Sequence, residues 1–598
     1  MFGKKTVTGI LAIAFFVVST ASAGTLEDNW NDFLHYTKIG LLDLAAGYAQ
    51  AVIDSNPDPV EMLALSEDNP QGYAILLTVK ESAPDAEITA LSDKILAIIE
   101  EGRFIRRTSP KIIAEEIRGL SSTSRGQLAA VKRLQNAGEY AISYMLDAMA
   151  DNSRKEELPN IVWALPQIGK DAIRPLAAAL QTKDAAIKVE IVRALGKIGY
   201  PQSLAYLKYV VETAADSAEL RELASQAVRE IDPAALEVPA VQLFYRLAEN
   251  YYYHTPSLAP AEDADFANIW FWDAGNRVLV REKVDRAYFY ELMAMRACEW
   301  ALKADAGFGG AIGLWLAAYF KAESAGIDMP DYFGPGHPEA MVYATTAGAE
   351  YIHEALARAI KDKDAYVALC AVQALATTAG ERALLYRLGP LQPLVQALSF
   401  DNRAVRYSAA IAIAAAGPKE SFAESKLVVE NLAEALGQNA EEVNENTDMW
   451  NGQMAESYAL SAAEVMLKLA QSRNPVINLS AAQAAVINAT KDKRPQIQIL
   501  AGQILAWLDS SEAQRSLTTM ALDEKNDINI RIAAFDSLAV SAKLNANLLD
   551  EQTIDAIYTL VGSQQTEPEL RSAAAAAFGA LNLPSHKVKK LILDQARS

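Results

Sequence analysis

The fold class that the sequence predicts is all-α, an α-solenoid in which helical hairpins stack side by side. Alanine supplies 108 of the 598 residues, and it is both the best helix former and a small side chain that lets helices pack closely. Three segments also end alike, with Gly138, Gly169 and Gly199 spaced by 31 and 30 residues. A period of about 30 to 40 residues is typical of a solenoid.

Residues 1–23 have the composition of a secretory signal peptide. Two lysines precede an uninterrupted apolar run over 10–18, and an A-x-A site ends at Ala23. Nine apolar residues are too few to cross about 30 Å of hydrocarbon as an uncleaved anchor. We therefore expect cleavage before Gly24 and a periplasmic or secreted protein.

Charge and cysteine content exclude several classes of protein. A net charge of −20 argues against a nucleic-acid partner, because phosphates repel an acidic surface. No later stretch of about 20 residues is apolar and free of charge, so no membrane span is expected. Two cysteines exclude a disulfide scaffold. Cys298 and Cys370 lie 72 residues apart, about two repeats, and we expect two buried free thiols.

The unit that ends at Gly199 shows how one repeat is built. Ile187, Ile191, Leu195 and Ile198 recur at steps of four, four and three, which places them on one face of a helix. The glycine then supplies the left-handed backbone conformation that ends the helix.

A second element marks the starts of such helices. It is a polar or acidic residue, two spacers, a branched aliphatic residue and often a basic one, and an alanine-rich stretch follows several of its copies. The first side chain is expected to cap free backbone N–H groups while the aliphatic residue enters the core. The copies begin at Asp184, Ser217, Asn402, Asp527 and Glu567, with a weaker one at Asp364.

The combination of D-x-x-[VI]-R, an alanine-rich helix and A-L-x-x-[IL]-G resembles HEAT repeats of the phycobilisome-lyase-like type. The resemblance covers roughly 115–235 and 355–598. It implies a solenoid and does not identify a function, because this fold serves scaffolds, adaptors and accessory factors alike. Pigment attachment is not expected, since it would need a cytoplasmic partner and this chain carries an export signal.

The middle of the chain loses the HEAT pattern and gains aromatic residues. Of the residues in 240–345, 20 are Phe, Trp or Tyr. Ala294, Cys298 and Ala301 resemble the small and bulky spacing of a tetratricopeptide (TPR) second helix, although Ala306 stands where that family has a closing proline. The resemblance implies TPR-like helical hairpins in this segment.

A weaker TPR-like pattern lies at 30–57 and ends in an NPDP turn. Two polar, acidic segments, 254–268 and 438–456, are predicted to be exposed, either as part of a binding face or as solvated loops. The expected organisation is a signal peptide (1–23), a TPR-like segment (24–110), a HEAT-like block (111–235), an aromatic TPR-like segment (236–345) and a second HEAT-like block (346–598).

Candidate chemistry is sparse. The sequence has five histidines and no H-E-x-x-H, paired CxxC, P-loop or G-x-S-x-G motif. The nearest metal constellation is His337, Glu350 and His353, of which only the last two share a predicted helix. The glycines of 307–313 imitate a dinucleotide loop, but a helix precedes them where a strand is needed. We predict no catalytic residue, metal or cofactor.

Aromatic clusters are the most suggestive feature of the middle segment. Consecutive rings on a helix point about 100° apart and cannot all face one core. Some are therefore expected to be exposed or to lie under a loop, and Tyr252, Trp270 and Trp272 are the candidates for partner binding. Packing between helices and stacking on a sugar ring are the alternatives.

The function predicted from these observations is a non-catalytic, extracytoplasmic repeat scaffold that binds another protein or a peptide. Its contacts would lie along the concave face, with the aromatic middle as an anchor. Two alternatives stay open. One is a binding module for an envelope ligand such as a glycan, and the other is an accessory subunit or enzyme with an unrecognised site.

Overall fold

The computed structural model describes residues 25–82, 86–215, 217–261, 265–326, 338–443, 447 and 449–584, with five positions between 586 and 593. The predicted signal peptide, its cleavage site at Ala23 and Gly24, and His337 lie outside the described residues. The chain divides into two compact units.

The first unit comprises residues 1–203, 217–231 and 270–280. Its helices are α1 (Leu26–Lys38), α2 (Leu42–Asp54), α3 (Pro59–Asp68), α4 (Pro70–Ser82), α5 (Ala86–Thr108), α6 (Pro110–Gly119), α7 (Ser124–Ala137), α8 (Glu139–Ala150), α9 (Leu158–Ala164), α10 (Ile173–Ala179), α11 (Ala185–Ile198) and, after α12 of the second unit, α13 (Ala218–Ile231).

The second unit comprises residues 204–216, 232–269 and 281–598. Its helices are α12 (Leu204–Thr213), α14 (Ala240–Tyr252), α15 (Phe289–Ala304), α16 (Gly310–Glu323), α17 (Ala340–Ala347), α18 (Ala349–Asp362), α19 (Ala365–Thr378), α20 (Glu381–Leu384), α21 (Pro393–Ala397), α22 (Arg403–Ala416), α23 (Ser425–Leu436), α24 (Gly452–Ser472), α25 (Gln483–Ala489), α26 (Pro495–Leu505), α27 (Ser511–Leu522), α28 (Ile528–Asn545), α29 (Glu551–Gly562) and α30 (Pro568–Ala580).

Helix stacking confirms the predicted fold class. In the second unit, α19, α22, α24, α26, α28 and α30 each pack on the next, and α23, α25, α27 and α29 form a second row. Alanine is abundant among the fully buried positions of the first row, including Ala371, Ala409, Ala459, Ala501 and Ala574. Small side chains at these positions let neighbouring repeats approach closely.

Local backbone signals agree with the repeat pattern. Gly138, Gly169 and Gly199 all have positive φ angles, of 57°, 82° and 69°, a region that glycine enters without the steric cost a side chain imposes. The helix that precedes Gly199 buries Ile191 and Leu195 completely. The predicted closing role is therefore confirmed for Gly138 and Gly199, which directly follow α7 and α11. Gly169 instead lies within the short helical segment 165–172, where it interrupts the helical backbone.

Most predicted helix starts are capped as expected. Asp184, Asn402, Asp527 and Asp364 each accept a hydrogen bond from a backbone N–H in the first turn of the following helix. Ser217 accepts one from Leu220 N at 3.2 Å. The prediction is wrong for the side chain of Glu567, which makes no such bond, because glutamate is not among the short side chains that favour the cap position.

A β-hairpin interrupts the predicted helical middle. Strands β1 (Phe266–Asp273) and β2 (Val278–Asp285) pair in a two-stranded sheet, so the expectation of helical hairpins alone across 236–345, and of a loop up to residue 268, is wrong here. The strands are rich in aromatic and β-branched residues, which favour extended backbone. Asp273 fixes the turn by accepting from the N–H groups of Gly275 and Asn276.

The acidic segment 438–456 is anchored at its centre. Trp450 is only 9% exposed, stacks on Tyr458 with ring centroids 5.7 Å apart and meets Tyr407 edge-on. The expectation of an exposed insertion is therefore wrong for this residue, because its indole is a large apolar group that packs against two other rings.

Two further predictions concern the chain as a whole. Both cysteines are free thiols as predicted. Cys298 is fully buried, but Cys370 is half-buried, so the prediction of burial is wrong for Cys370. Across the helices that the structure describes, we find none with the length and apolar composition that crossing a bilayer requires.

Candidate functional site

The aromatic residues proposed as a binding anchor are mostly interior. Tyr252 and Trp270 are 2% and 6% exposed, and Trp272 is half-buried. Tyr253 is the exposed member of the Tyr251–Tyr253 run, at 45%. The expectation that some rings would be exposed holds for Tyr253, but an exposed anchor or a sugar-stacking face at Tyr252 and Trp270 does not agree with their burial.

Trp270 has a specific structural partner. Its indole Nε1 donates to Glu139 Oε2 at 2.8 Å, and Arg174 lies 3.6 Å from the same oxygen. Both charged side chains are nearly buried, with 5% of the Glu139 side chain and 11% of the Arg174 side chain exposed. Truncating Trp270 would leave a buried carboxylate with fewer donors, so its first effect is on stability.

A cavity in the second unit is the strongest candidate site. Its volume is about 470 Å³, within the range of small-molecule and side-chain pockets. It lies between α14, α16, α18 and the segment that joins α20 to α21. The lining residues are Tyr245, Glu249, Gly310, Gly313, Leu314, Glu354, Ala357, Arg358, Lys361, Leu388 and Leu391.

Arg358 organises one wall of the cavity. Its Nη2 donates to the Tyr245 hydroxyl and to Glu249 Oε1, both at 2.9 Å, and its Nη1 donates to the Tyr253 hydroxyl at 2.8 Å. The guanidinium also lies 5.5 Å from the ring centroid of Tyr252, within reach of a cation–π interaction. These contacts tie α18 to α14, and they leave the arginine charge already matched.

Two other charges of the cavity have no ion-pair partner within the described part of the chain. Glu354 is half-buried, and burial raises the pKa of its carboxyl above the ordinary value. The nearby Glu350 raises this pKa further, and the charge of Arg358 lowers it in part. Lys361 is exposed. The cavity thus offers one carboxylate and one ammonium to a ligand, beside the apolar side chains of Leu314, Leu388 and Leu391.

The glycine-rich turn explains why α18 lies so close to α16. A Cβ on Gly313 would stand 2.7 Å from Glu354 Cβ, and one on Gly309 would stand 2.7 Å from the Tyr351 ring. Helices flank the turn on both sides, as predicted, and this differs from the strand that a dinucleotide loop needs.

The candidate metal ligands Glu350 and His353 do not form a metal site with other described residues. His353 is completely buried and its Nε2 donates to the backbone oxygen of Ala383 at 2.8 Å, so this nitrogen is already used. Glu350 is exposed. No group of three or more His, Cys, Asp or Glu side chains suited to a metal ion occurs within the described ranges.

Burial of His353 predicts a pH-dependent stability. Desolvation lowers the pKa of its imidazole below the ordinary 6.5. When the pH falls below 6.5, the imidazole is therefore protonated in the unfolded chain but stays neutral in the folded chain. Stability is then lost as pH falls below about 6.5, by at most about 1.4 kcal/mol per pH unit. Urea unfolding of the native chain and of His353→Gln checks this. In the variant, the free energy of unfolding should depend less on pH. An unchanged pH dependence would contradict the assignment of this effect to His353.

The cavity is not predictable from the sequence. The glycines of 307–313 and the clustered aromatics are the features near it that the sequence shows, but Glu249 and Arg358 are 109 residues apart. Their spacing along the chain does not show that such residues meet. The sequence signal for the cavity is the pair Gly309 and Gly313, which allow α16 and α18 to approach closely.

Comparison with known proteins supports the repeat assignment for part of the chain. The family model described as HEAT repeats matches residues 127–229, which confirms HEAT repeats within the predicted block 111–235. The lyase-like subtype and the TPR-like segments stay predictions. No curated protein matches the sequence.

Solved structures similar to this chain include yeast importin-beta (Kap95p), which is 14% identical, with a TM-score of 0.24 and coverage of 93% of this chain and 68% of the other. She4p is 12% identical, with a TM-score of 0.28 and coverage of 93% and 84%. An engineered protein is 14% identical, with a TM-score of 0.23 and coverage of 88% and 99%. Likenesses this low support no inference about this chain.

Proposed function

We propose that this chain is a non-catalytic repeat scaffold that binds another protein outside the cytoplasm, and that the cavity beside Arg358 receives part of that partner. The observation that carries the proposal is the chemistry of the cavity wall. Apolar side chains there adjoin the carboxyl group of Glu354 and the ammonium of Lys361, neither of which forms an ion pair with another described residue.

A peptide segment supplies what such a wall recognises. Its side chains cover apolar surface, its backbone offers both donors and acceptors, and its charged groups pair with either sign. An apolar small molecule would leave Glu354 desolvated without a partner, which costs free energy. HEAT repeats at 127–229 agree with this function, because solenoids present extended surfaces for binding.

Export is the second part of the proposal. It rests on the signal-like composition of residues 1–23 and on the A-x-A site that ends at Ala23. N-terminal sequencing of the chain recovered from the envelope or medium should begin at Gly24. Recovery of the chain only in the cytoplasm, with its N-terminus intact, would contradict it.

Site-specific cross-linking tests the binding site. A photoreactive benzoylphenylalanine replaces Leu391 at the cavity, which is 40% exposed, and a matched control replaces Leu544, which is 37% exposed and does not line the cavity. We expect a defined protein to be cross-linked from position 391 and not from 544.

The cross-linked protein is then purified and titrated against the native chain, Leu391→Asp and Leu544→Asp. Leu391→Asp should weaken binding at least about tenfold, or about 1.4 kcal/mol, with an unchanged melting curve. Equal cross-linking from both positions, or binding that Leu391→Asp does not change, would contradict the proposed site.

A further inference from the structure

Two exposed residues and one half-buried residue occupy the same position in successive repeats of the first unit. Lys132, Trp163 and Arg193 each stand six residues before the closing glycine of their repeat, on α7, α9 and α11. Lys132 is exposed, Trp163 is 43% exposed, and 40% of the Arg193 side chain is exposed. We call these three residues the 132–163–193 row.

Two hydrogen bonds fix the register between the first two helices of the row. Gln127 Nε2 donates to Asn160 Oδ1 at 3.2 Å, and Gln135 Nε2 donates to the backbone oxygen of Gln167 at 2.7 Å. Trp163 lies between Asn160 and Gln167 in the sequence, and these residues bond to the two ends of α7. Trp163 is therefore level with the middle of α7.

The middle of α7 presents an apolar side chain and a cation to solvent. Leu128 is 64% exposed, and Lys132, one turn further on, makes no ion pair with a described residue. Trp163 is therefore level with an exposed leucine and with an ammonium that has no ion pair within the described residues. An exposed indole beside apolar surface is the composition typical of an interface hot spot.

The charge of these helices is opposite to that of the whole protein. Segments 124–137, 158–172 and 185–198 carry seven Lys and Arg and only two acidic residues, Asp171 and Glu190, whereas the chain has a net charge of −20. Glu190 pairs with Arg193. Lys170 and Lys197, both exposed, make no ion pair within the described ranges.

The spacing of the row matches an extended chain. Packed helices lie about 8 to 10 Å apart, and a peptide in the extended polyproline II conformation advances about 3.1 Å per residue with three residues per turn, so every third side chain lies on the same face. Three peptide residues therefore span one helix-to-helix step. The peptide side chains that face Lys132, Trp163 and Arg193 are therefore three residues apart along the peptide.

From these observations we infer that the 132–163–193 row binds an extended acidic segment of a partner protein. The segment carries an acidic residue, a large apolar residue three positions on and a second acidic residue three positions further. The apolar side chain packs on Trp163 and Leu128. One carboxylate pairs with Lys132, and the other with the guanidinium of Arg193, which also keeps its ion pair with Glu190 through Nη1. This inference rests on the proposed function, since the partner is a protein, but it uses a surface of the first unit that does not include the cavity.

Peptide selection tests the inference without assuming a sequence. Random dodecamers displayed on phage are selected on the purified chain from Gly24 to Ser598 and counter-selected on Trp163→Ala. Enriched peptides are synthesised with a fluorescent label and titrated by anisotropy. We expect acidic residues three positions before and after a bulky apolar residue, and affinity that falls as salt is raised.

Three variants show which contacts carry the binding. Trp163→Ala should weaken it at least tenfold and Lys132→Glu at least fivefold, while Trp163→Phe should stay within threefold of the native chain. The charge-reversal control is Lys493→Glu in the second unit, where 80% of the lysine side chain is exposed, and it should have no effect. Circular dichroism melting confirms that each variant is folded.

Several results would overturn the inference. They are the absence of enriched peptides, selection of peptides without the acidic spacing, and equal binding to Trp163→Ala. Polyphosphate binding that needs Lys132 but not Trp163, with no selected peptide, would instead indicate a general polyanion surface. Leu391→Asp should not affect the selected peptides. If peptide selection does not give the expected result while cross-linking from position 391 succeeds, only binding at the 132–163–193 row is rejected and the proposed function stands.

Discussion

Replacing Gly102 by alanine is expected to destabilise the first unit by about 3 kcal/mol, the upper range for overpacking a well-packed core. Gly102 lies on α5, where the helix passes the start of α3. A Cβ there would stand 2.6 Å from the carbonyl carbon of Pro59, closer still to its oxygen, and 3.0 Å from Leu63 Cβ. Two of these atoms belong to the backbone, so the helices must separate to relieve the clash.

Gly47→Ala is the matched control. Gly47 also lies within a helix, α2, but a Cβ there would meet nothing within 4 Å. The change should stabilise the protein by up to about 1 kcal/mol, because alanine is the better helix former. Urea unfolding measures both effects, and hydrogen exchange of α3 and α5 locates the first. Similar stabilities for the two variants would contradict the close approach of α3 and α5.

Replacing Arg358 by methionine is expected to cost about 2 to 4 kcal/mol. Methionine keeps the long apolar stem but removes the donors that reach Glu249, Tyr245 and Tyr253. The carboxylate of Glu249 is then left partly desolvated beside two hydroxyl groups, and removing one partner of a shielded charge pair is much more costly than removing an exposed pair.

Arg515→Met controls for the loss of an arginine. Arg515 is exposed and its guanidinium donates only to the neighbouring Ser511, among the residues described, so its change should stay within about 0.5 kcal/mol. Thermal and urea unfolding of both variants give the comparison. A loss below about 1 kcal/mol for Arg358→Met would show that the network at α14 and α18 is not a stabilising contact.

Local features of the fold were predictable because their physics is local. An acidic or amide side chain such as Asp184 or Asn402 caps the helix that follows it, within three residues. Gly199 ends a helix because its own φ angle is positive. Neither feature depends on what the rest of the chain does, so a pattern within ten residues carried the information.

The β-hairpin and the cavity were not predictable in this way. The residues from Phe266 to Asp273 lie in a segment for which the TPR-like pattern predicts helical hairpins, although their aromatic and β-branched content favours a strand. Tyr252 was expected to be a candidate for exposure, but the helices and cations packed around α14 bury it. The pairing of Arg358 with Glu249 depends on the stacking of several helices, which no short stretch of sequence encodes.

The chain path through the first unit has a consequence for biosynthesis. Helix α13, which packs on α11, is made only after α12 of the second unit, and Trp270, which donates to Glu139, is made later still. Synthesis proceeds from the N-terminus, so a nascent chain that has reached Ser203 still lacks two pieces of this unit. Its exposed apolar surface would persist until about residue 280 has emerged, an interval in which a chaperone that holds unfolded chains would find a binding site.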